Sequence, residues 1–203
     1  MNRTRVAVIG AGMAGVLSAI KLTEAGYADV AVYEKGDRIG GTWRENTYPG
    51  IACDVPSHLY SYSFAPNSEW SHLFSPGDEI RAYLEDVAKK FDVYRLIRFN
   101  TEVARMEFDG GRWQIEMADG STDDADVVIA ATGVLHHPKF PDIAGLDDFE
   151  GAVFHSARWD HSVQLEGARV GVIGTGSTAV QITGAIVDVV AEFKLFQRTA
   201  QWI

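Results

Sequence analysis

Two glycine-rich turns carry the plainest chemistry in this sequence of 203 residues. Gly10-Ala11-Gly12-Met13-Ala14-Gly15 and Gly174-Thr175-Gly176-Ser177-Thr178-Ala179 both read G-x-G-x-x-G/A and lie 164 positions apart. In such a motif the first glycine permits a tight turn, and the second lets backbone approach a pyrophosphate. The third position must be small so that helix and strand pack closely. A helix that follows the turn aims free N–H groups and the positive end of its dipole at the phosphates. The chemistry is dinucleotide binding, present twice. A glycine turn without a ligand is the alternative for each copy, and the surrounding elements decide between the two readings.

The ends of the second strands distinguish the copies. Glu34 and Arg198 each lie 24 residues after the first glycine of their motif, and equal spacing makes them the same topological position. A carboxylate there accepts hydrogen bonds from a free ribose diol, whereas a guanidinium suits a 2′-phosphate. The first site is therefore expected to take FAD or NAD, and the second NADP, with Thr199 adding a hydroxyl contact. An exposed strand-end charge is the alternative reading of Arg198.

These residues need strands and helices to hold them. Val6-Ala7-Val8-Ile9 and Val170-Gly171-Val172-Ile173 are apolar strands running into the glycine turns. Val16, Leu17 and Ile20 give the first helix its apolar face, and Gly26 suits its C-terminus. Val180, Ile186, Val187 and Val190 are expected to do the same in the second copy. Second strands follow at Val30–Glu34 and Phe193–Gln197. Between the copies, Gly40 to Asp54 reads as a loop held in an unusual path, where a dinucleotide's far end would lie. The aromatic residues Tyr60, Tyr62, Phe64, Trp70 and Phe74 either wall a ring-shaped ligand or pack a core. Ser75-Pro76-Gly77-Asp78 predicts a helix start with Ser75 as N-cap. The helix face is Ile80, Tyr83, Leu84, Val87 and Phe91. Arg98 to Val103 reads as a strand. Ala104–Phe108, Arg112–Ala118 and Thr122–Asp126 then form a three-stranded meander, and Val127–Ala131 a fully buried parallel strand. The fold class is α/β, with two Rossmann-like units on parallel sheets and a β-meander insertion. The expected domains are 1–135, a linker at 136–149 with its prolines and Gly145, and 150–203.

Composition narrows the partners. A net charge of −10 argues against a nucleic-acid or anionic-membrane surface. The single cysteine, Cys53, excludes an intrachain disulfide and is compatible with a cytoplasmic setting. Arg3 and Arg5 ahead of the apolar run Val6 to Ile20 superficially resemble a signal peptide, but Gly10, Gly12 and Gly15 interrupt that run at the spacing of a phosphate loop. His136-His137, His155 and His161 have no carboxylate or cysteine at ligand spacing, so no metal site is expected. Cys53 has no paired base in sequence, which argues against a catalytic thiolate.

Phe149-Glu150-Gly151-Ala152-Val153-Phe154-His155-Ser156-Ala157-Arg158-Trp159-Asp160 matches F-x-G-x-x-x-H-x-x-x-W-[PD] at every fixed position: Phe149, Gly151, His155, Trp159 and Asp160. Gly40-Gly41-Thr42-Trp43 followed by Tyr48-Pro49-Gly50 and Asp54 matches a second pattern, and Ala131-Thr132-Gly133 a third. With these motifs the chain resembles the Baeyer–Villiger monooxygenases, flavin-dependent enzymes that use FAD and NADPH. Trp159-Asp160 favours that branch over the related N- and S-oxygenating flavin monooxygenases.

The resemblance implies that NADPH reduces the flavin and that O2 adds to give a C4a-peroxyflavin. It implies that this species attacks a ketone, yielding an ester or lactone, with sulfide oxygenation as a side activity. It assigns Gly10, Gly12, Gly15 and Glu34 to FAD, and Gly41, Thr42 and Trp43 to the flavin side. Gly174, Gly176, Ala179, Arg198 and Thr199 go to NADP. Asp54 corresponds to an active-site carboxylate that tunes a catalytic arginine, and His155 and Trp159 to domain positioning. Family members are much longer. The chain is therefore expected to be a fragment, inactive alone or completed by another chain, with both sheets incomplete at Ile203. The catalytic arginine is expected to be missing, since Arg3, Arg158 and Arg198 do not hold its motif position.

Overall fold

The computed structural model describes residues 2–200, so the chain end at Ile203 lies outside the described residues, as does the side chain of Arg3. By Cα proximity the chain divides into two compact units. The first comprises Met1–Arg44, Tyr62–Asn67 and Asp78–His136, and the second Glu45–Ser61, Ser68–Gly77 and His137–Ile203.

In the first unit, β1 (Asn2–Ile9) leads through the first glycine turn into α1 (Met13–Glu24), and β2 (Tyr27–Tyr33) returns parallel to β1. Val6, Ala7 and Val8 are buried on both faces, as a central parallel strand requires. The buried face of α1 is Gly15, Val16, Ala19 and Ile20, and Leu17, expected on that face, is exposed. Gly26, at φ +84°, turns the chain out of the helix in the left-handed region that a side chain disfavours.

Further along the chain come α2 (Thr42–Glu45), α3 (Gly77–Lys90) and β3 (Ile97–Arg98). The meander is built from β4 (Val103–Asp109), β5 (Arg112–Met117) and β6 (Thr122–Ala125), and β7 (Val127–Ala130) comes after it. The parallel sheet has the order β3-β2-β1-β7, and the meander the order β4-β5-β6. Gly110 and Gly111 both have positive φ between the paired residues Asp109 and Arg112, the geometry of a two-residue hairpin.

Several expectations need correction. The strand expected over Arg98–Val103 is only two residues long, because Asn100 at φ +52° turns the chain before β4 starts at Val103. β7 is parallel to β1 as expected but is not fully buried. It occupies the sheet edge, and Val127 is 43% exposed. α3 begins two residues after Ser75, whose hydroxyl donates to the His72 carbonyl at 3.2 Å rather than capping the helix. Its predicted apolar face holds at Ile80, Tyr83, Leu84 and Val87, which are buried, whereas Phe91 lies just past the helix end and is half-buried. Tyr62 and Phe64 pack as core. Their rings stack at 5.2 Å, Phe64 meets Phe91 edge-on at 5.4 Å, and the Tyr62 hydroxyl donates to the Met13 carbonyl at 2.6 Å. Trp70 is buried and Phe74 half-exposed.

The meander is held to the sheet in two ways. Ile115, Met117 and Ala125 join Ala7, Ile9, Ala31 and Tyr33 in one apolar cluster. Beside it, the Asp123 carboxylate receives Arg5 at 2.7 Å, Arg98 at 2.8 Å and the Tyr33 hydroxyl. Arg5 also reaches Asp29 at 2.6 Å, while its backbone N–H donates to Asp126. Among the described residues no helix is long and apolar enough to cross a membrane.

In the second unit, β8 (Arg169–Ile173) runs into the second glycine turn, then α4 (Ser177–Ile186), and β9 (Glu192–Phe196) pairs parallel to β8. The helix face matches expectation at Ile186 and differs elsewhere. Ala179, Ile182 and Ile186 are buried, whereas Val180 and Val187 are exposed, because α4 turns Ile182 rather than Val180 towards the apolar cluster.

The Asp123 network predicts a stability profile. Burial pushes this carboxyl up, but hydrogen bonds from Tyr33, the Asp124 N–H and Arg5 outweigh it and hold the group at about 2. An ordinary aspartate titrates near 3.9, so the stabilisation is present above about pH 4 and is lost as pH falls towards 2. Burial and the neighbouring Asp123 push the Tyr33 hydroxyl up to about 12. Its share is present below about pH 10 and is lost as pH rises through 12. Asp123→Asn is expected to cost about 1–3 kcal/mol at pH 7 and to flatten the acid limb. Denaturant melts between pH 3 and pH 7 check this, and parallel wild-type and variant curves contradict it.

Candidate functional site

The first glycine turn is built by exclusion. A Cβ on Gly15 would stand 1.9 Å from the Gly10 carbonyl oxygen, and one on Gly10, at φ +101°, would stand 2.6 Å from the Ala131 carbonyl oxygen. The start of α1 is therefore drawn against the turn, leaving its N-terminal N–H groups beside Gly12. The Gly40-Gly41 turn closes over this loop: the Gly40 N–H donates to the Ala11 carbonyl at 3.1 Å, and the Gly41 Cα lies beside Gly12. The Trp43 and Arg44 N–H groups in turn donate to the Gly40 and Gly41 carbonyls. Gly10, Gly12, Gly15, Gly41, Thr42 and Trp43 thus belong to one neighbourhood of the first unit.

Glu34 stands one residue beyond β2 and is buried. Its Oε2 accepts the Ala11 N–H at 2.8 Å, and its Oε1 accepts the Gly36 N–H at 2.8 Å and Arg44 Nη1 at 2.7 Å. An ionised carboxylate has about four acceptor positions, so one on Oε2 remains for a ribose hydroxyl. The residues therefore fit an adenosine ribose beside a pyrophosphate loop. Arg44 is a residue that sequence reasoning missed. Its guanidinium also donates to the Arg38 carbonyl at 2.6 Å, and its buried pairing with Glu34 fixes the carboxylate's direction. The signal was a cation within the same G-G-T-W-R run.

The second turn is more open. Gly174 has φ +120°, but a Cβ on Gly174 or Gly176 would meet nothing within 4 Å. Ala179, the small third position, is buried. Arg198 and Thr199 lie past the end of β9 and are exposed. Their register corrects the equivalence drawn from spacing. The Gly10 N–H donates to Tyr33 and the Gly174 N–H to Phe196, so the counterpart of Glu34 is Gln197 and Arg198 is one residue further on. The second crossover is one residue shorter, which equal counting from the glycines conceals.

Asp54 lies in the second unit and is exposed. It follows Tyr48, which is buried against Ile182 and Ile186 with Ile51 and Trp159 packed around them. The Tyr48 hydroxyl donates to Gln181 Oε1 at 2.8 Å, and Gln181 Nε2 donates to the Ala52 carbonyl at 2.9 Å. Burial pushes both the Tyr48 hydroxyl and the Cys53 thiol up.

The Phe149–Asp160 signature is a run of local supports. His155 Nδ1 accepts the Ala157 N–H at 3.1 Å, capping the turn Ser156–Arg158, and its ring meets Phe140 edge-on. Burial and Arg158 hold this imidazole below the usual histidine range. Trp159 meets Phe154 edge-on at 5.0 Å. Asp160 Oδ1 accepts both the Ser162 N–H and its hydroxyl, which lowers its titration. Phe149 lays its ring over Gly151, where a Cβ would collide with it. Among the described residues no group of three or more His, Cys, Asp or Glu side chains is placed to hold a metal ion.

Residues 3–203 match the family model described as FMO-like, flavin-binding monooxygenase-like. The chain is 55% identical over 204 residues to a Baeyer-Villiger monooxygenase of Streptomyces coelicolor, covering 100% of this chain and 39% of that protein. Among solved structures it is similar to OTEMO in complex with FAD and NADP, with a TM-score of 0.90 and 36% identity over 98% of this chain and 40% of that one. It is also similar to ε-caprolactone-bound cyclohexanone monooxygenase, with a TM-score of 0.90 and 38% identity over 98% of this chain and 40% of that one. The chain spans about 40% of the length of the relatives it matches.

The two turns predict opposite responses to one methyl group. Gly15→Ala is expected to destabilise the fold by about 3 kcal/mol or more, since the Gly10 backbone must move. Gly176→Ala is expected to shift stability by less than about 1 kcal/mol, because the site is open and its φ of −73° suits alanine. Thermal melts of the two variants measure the contrast, and equal losses contradict it.

Proposed function

The chain belongs to the flavin-binding monooxygenase-like family, and on that premise we propose that it forms the FAD- and NADPH-binding part of a Baeyer–Villiger-type monooxygenase. The reaction inserts one oxygen atom of O2 beside a ketone carbonyl to give an ester or lactone. The observation that carries this reading is the contrast between the two phosphate loops. The first leads to a buried, oriented carboxylate, Glu34, and the second to Gln197 with the exposed guanidinium of Arg198 one residue further on. A carboxylate suits the free ribose diol of FAD, and a guanidinium the 2′-phosphate of NADPH. The FAD and NADP complexes of OTEMO and the lactone bound to cyclohexanone monooxygenase support the same cofactors and product class.

On this reading Gly10, Gly12, Gly15 and Glu34 hold the FAD pyrophosphate and ribose, with Arg44 steering Glu34. Gly41, Thr42 and Trp43 line the flavin side. Gly174, Gly176 and Ala179 form the NADPH pyrophosphate loop, and Arg198 with Thr199 grips its 2′-phosphate. In chain order, 1–135 is the FAD portion, apart from 45–61 and 68–77, which pack in the second unit, 136–149 is the linker and 150–203 the NADPH portion. Bound flavin supplies the electron transfer and oxygen activation that side chains cannot. The protein's own work is to orient the dinucleotides and place charge. Asp54 is the carboxylate contributed to the active site. Phe149, Gly151, His155, Trp159 and Asp160 hold their segment in shape through the His155 cap, the Asp160–Ser162 bonds and the Phe154–Trp159 ring contact.

Two measurements test the proposal. Ketone-dependent NADPH oxidation with an ester or lactone product is expected from a complete enzyme that contains this chain, not from these 203 residues alone. Oxygenation confined to nitrogen or sulfur would place it with the N- and S-oxygenating relatives instead. Arg198→Ala is expected to weaken NADPH binding about tenfold to a hundredfold, with much less effect on NADH, since only NADPH offers the 2′-phosphate. Equal losses for the two nucleotides would remove Arg198 from that role.

A further inference from the structure

The sequence pattern treats Gly40 to Asp54 as one loop, yet its second half is built into the second unit. Three contacts tie it to α4. The Tyr48 ring is buried against Ile182 and Ile186. Gly50, at φ +81°, brings the strap so close that a Cβ there would stand 2.6 Å from the Gln181 carbonyl oxygen. The Gln181 side chain then uses both ends of its amide, accepting from the Tyr48 hydroxyl and donating to the Ala52 carbonyl. Ala52 is two residues before Asp54, with the buried Cys53 between them.

We propose that Gln181 is a positioning residue: its side-chain amide clamps residues 48–52 to α4 and thereby sets where the Asp54 carboxylate stands. The importance of Asp54 rests on the function proposed above, but the clamp itself does not. α4 is also the helix that opens on the second glycine turn, so the element proposed to carry the NADPH pyrophosphate loop holds the strap as well. An amide suits the task because it donates and accepts at once, and neither Leu nor an ionised Glu reproduces both bonds.

Cys53 is the only cysteine in this sequence and is 2% exposed, so its reaction with a thiol reagent reports opening of the strap. The probe is 4,4′-dithiodipyridine, which reacts across a wide pH range, with labelling read at the Cys53 peptide by mass spectrometry. Gln181→Leu is expected to speed labelling about fivefold to thirtyfold, the scale of one to two lost hydrogen bonds. Gly50→Ala attacks the same contact from the strap side and is expected to act in the same direction. Gln181→Glu supplies the readout that simple loosening of the core would not move. A protonated carboxyl donates and accepts as the amide does, whereas the carboxylate repels the Ala52 carbonyl. Its labelling rate relative to wild type is therefore expected to approach one near pH 4 and to rise towards pH 8, while the Gln181→Leu ratio stays level. Circular dichroism establishes that each variant is folded. Wild-type labelling rates in folded Gln181→Leu, or a pH-independent ratio in Gln181→Glu, overturn the clamp. Failure of NADPH to bind wild-type protein would count against the proposed function and leave the clamp to be judged on these rates alone.

Discussion

One exclusion governs the first unit: the Gly10 carbonyl occupies the place where a side chain on residue 15 would be. Because Gly15 yields that space, α1 starts hard against the turn and the Ala11 N–H points at Glu34. The Gly40-Gly41 turn can then close on Gly12. A backbone constraint of this kind is stronger than any single hydrogen bond, since a carbonyl within a packed turn has nowhere to retreat. The second turn lacks it. There the glycines face open space, and the turn is set by its strand register and by the buried Ala179. The same motif therefore has two physical bases, steric in one copy and conformational in the other.

The second dependence is electrostatic. A buried carboxylate is costly unless it is paired and hydrogen-bonded. Glu34 meets this with two backbone N–H groups and Arg44, and the result is a charge whose direction is set by donors from three separate segments. The Asp123 network shows the same economy on a partly exposed site, where Arg5, Arg98 and Tyr33 converge on one carboxylate and tie the meander to the sheet. In both places the charged group does for long-range contacts what apolar packing does for the core, but with a defined direction.

Much of the fold was legible because its signals are local. Apolar runs, glycine turns and hairpin dipeptides located β1, α1, β2, the meander and β8 within a few residues. What escaped was whatever depended on distant partners. β7 reads as buried from composition, but its exposure follows from its place at the sheet edge. The face of α4 was legible at Ile186 but not at Ile182, which packs with Tyr48, a residue far away in sequence. Arg44 carried no periodicity to mark it, and the offset of Arg198 by one position appears only once β9 is paired with β8. The candidate site was legible as a set of glycines and charges, not as the contacts that aim them.

The segment from Gly40 to Asp54 sharpens that distinction. As a pattern it has fixed spacing, and fixed spacing suggests a single loop with a single job. Its two halves instead answer to different constraints. Gly41 and Arg44 are held by the first glycine turn and by Glu34, whereas Tyr48, Gly50 and Ala52 are held by α4. Only Glu45, Asn46 and Thr47 separate Arg44 from Tyr48. An insertion there would leave both sets of contacts individually possible while changing the length of chain that joins them. The Gly12–Gly41 approach belongs to the first unit and the Gly50–Gln181 approach to the second. Neither contact is visible from the glycines alone.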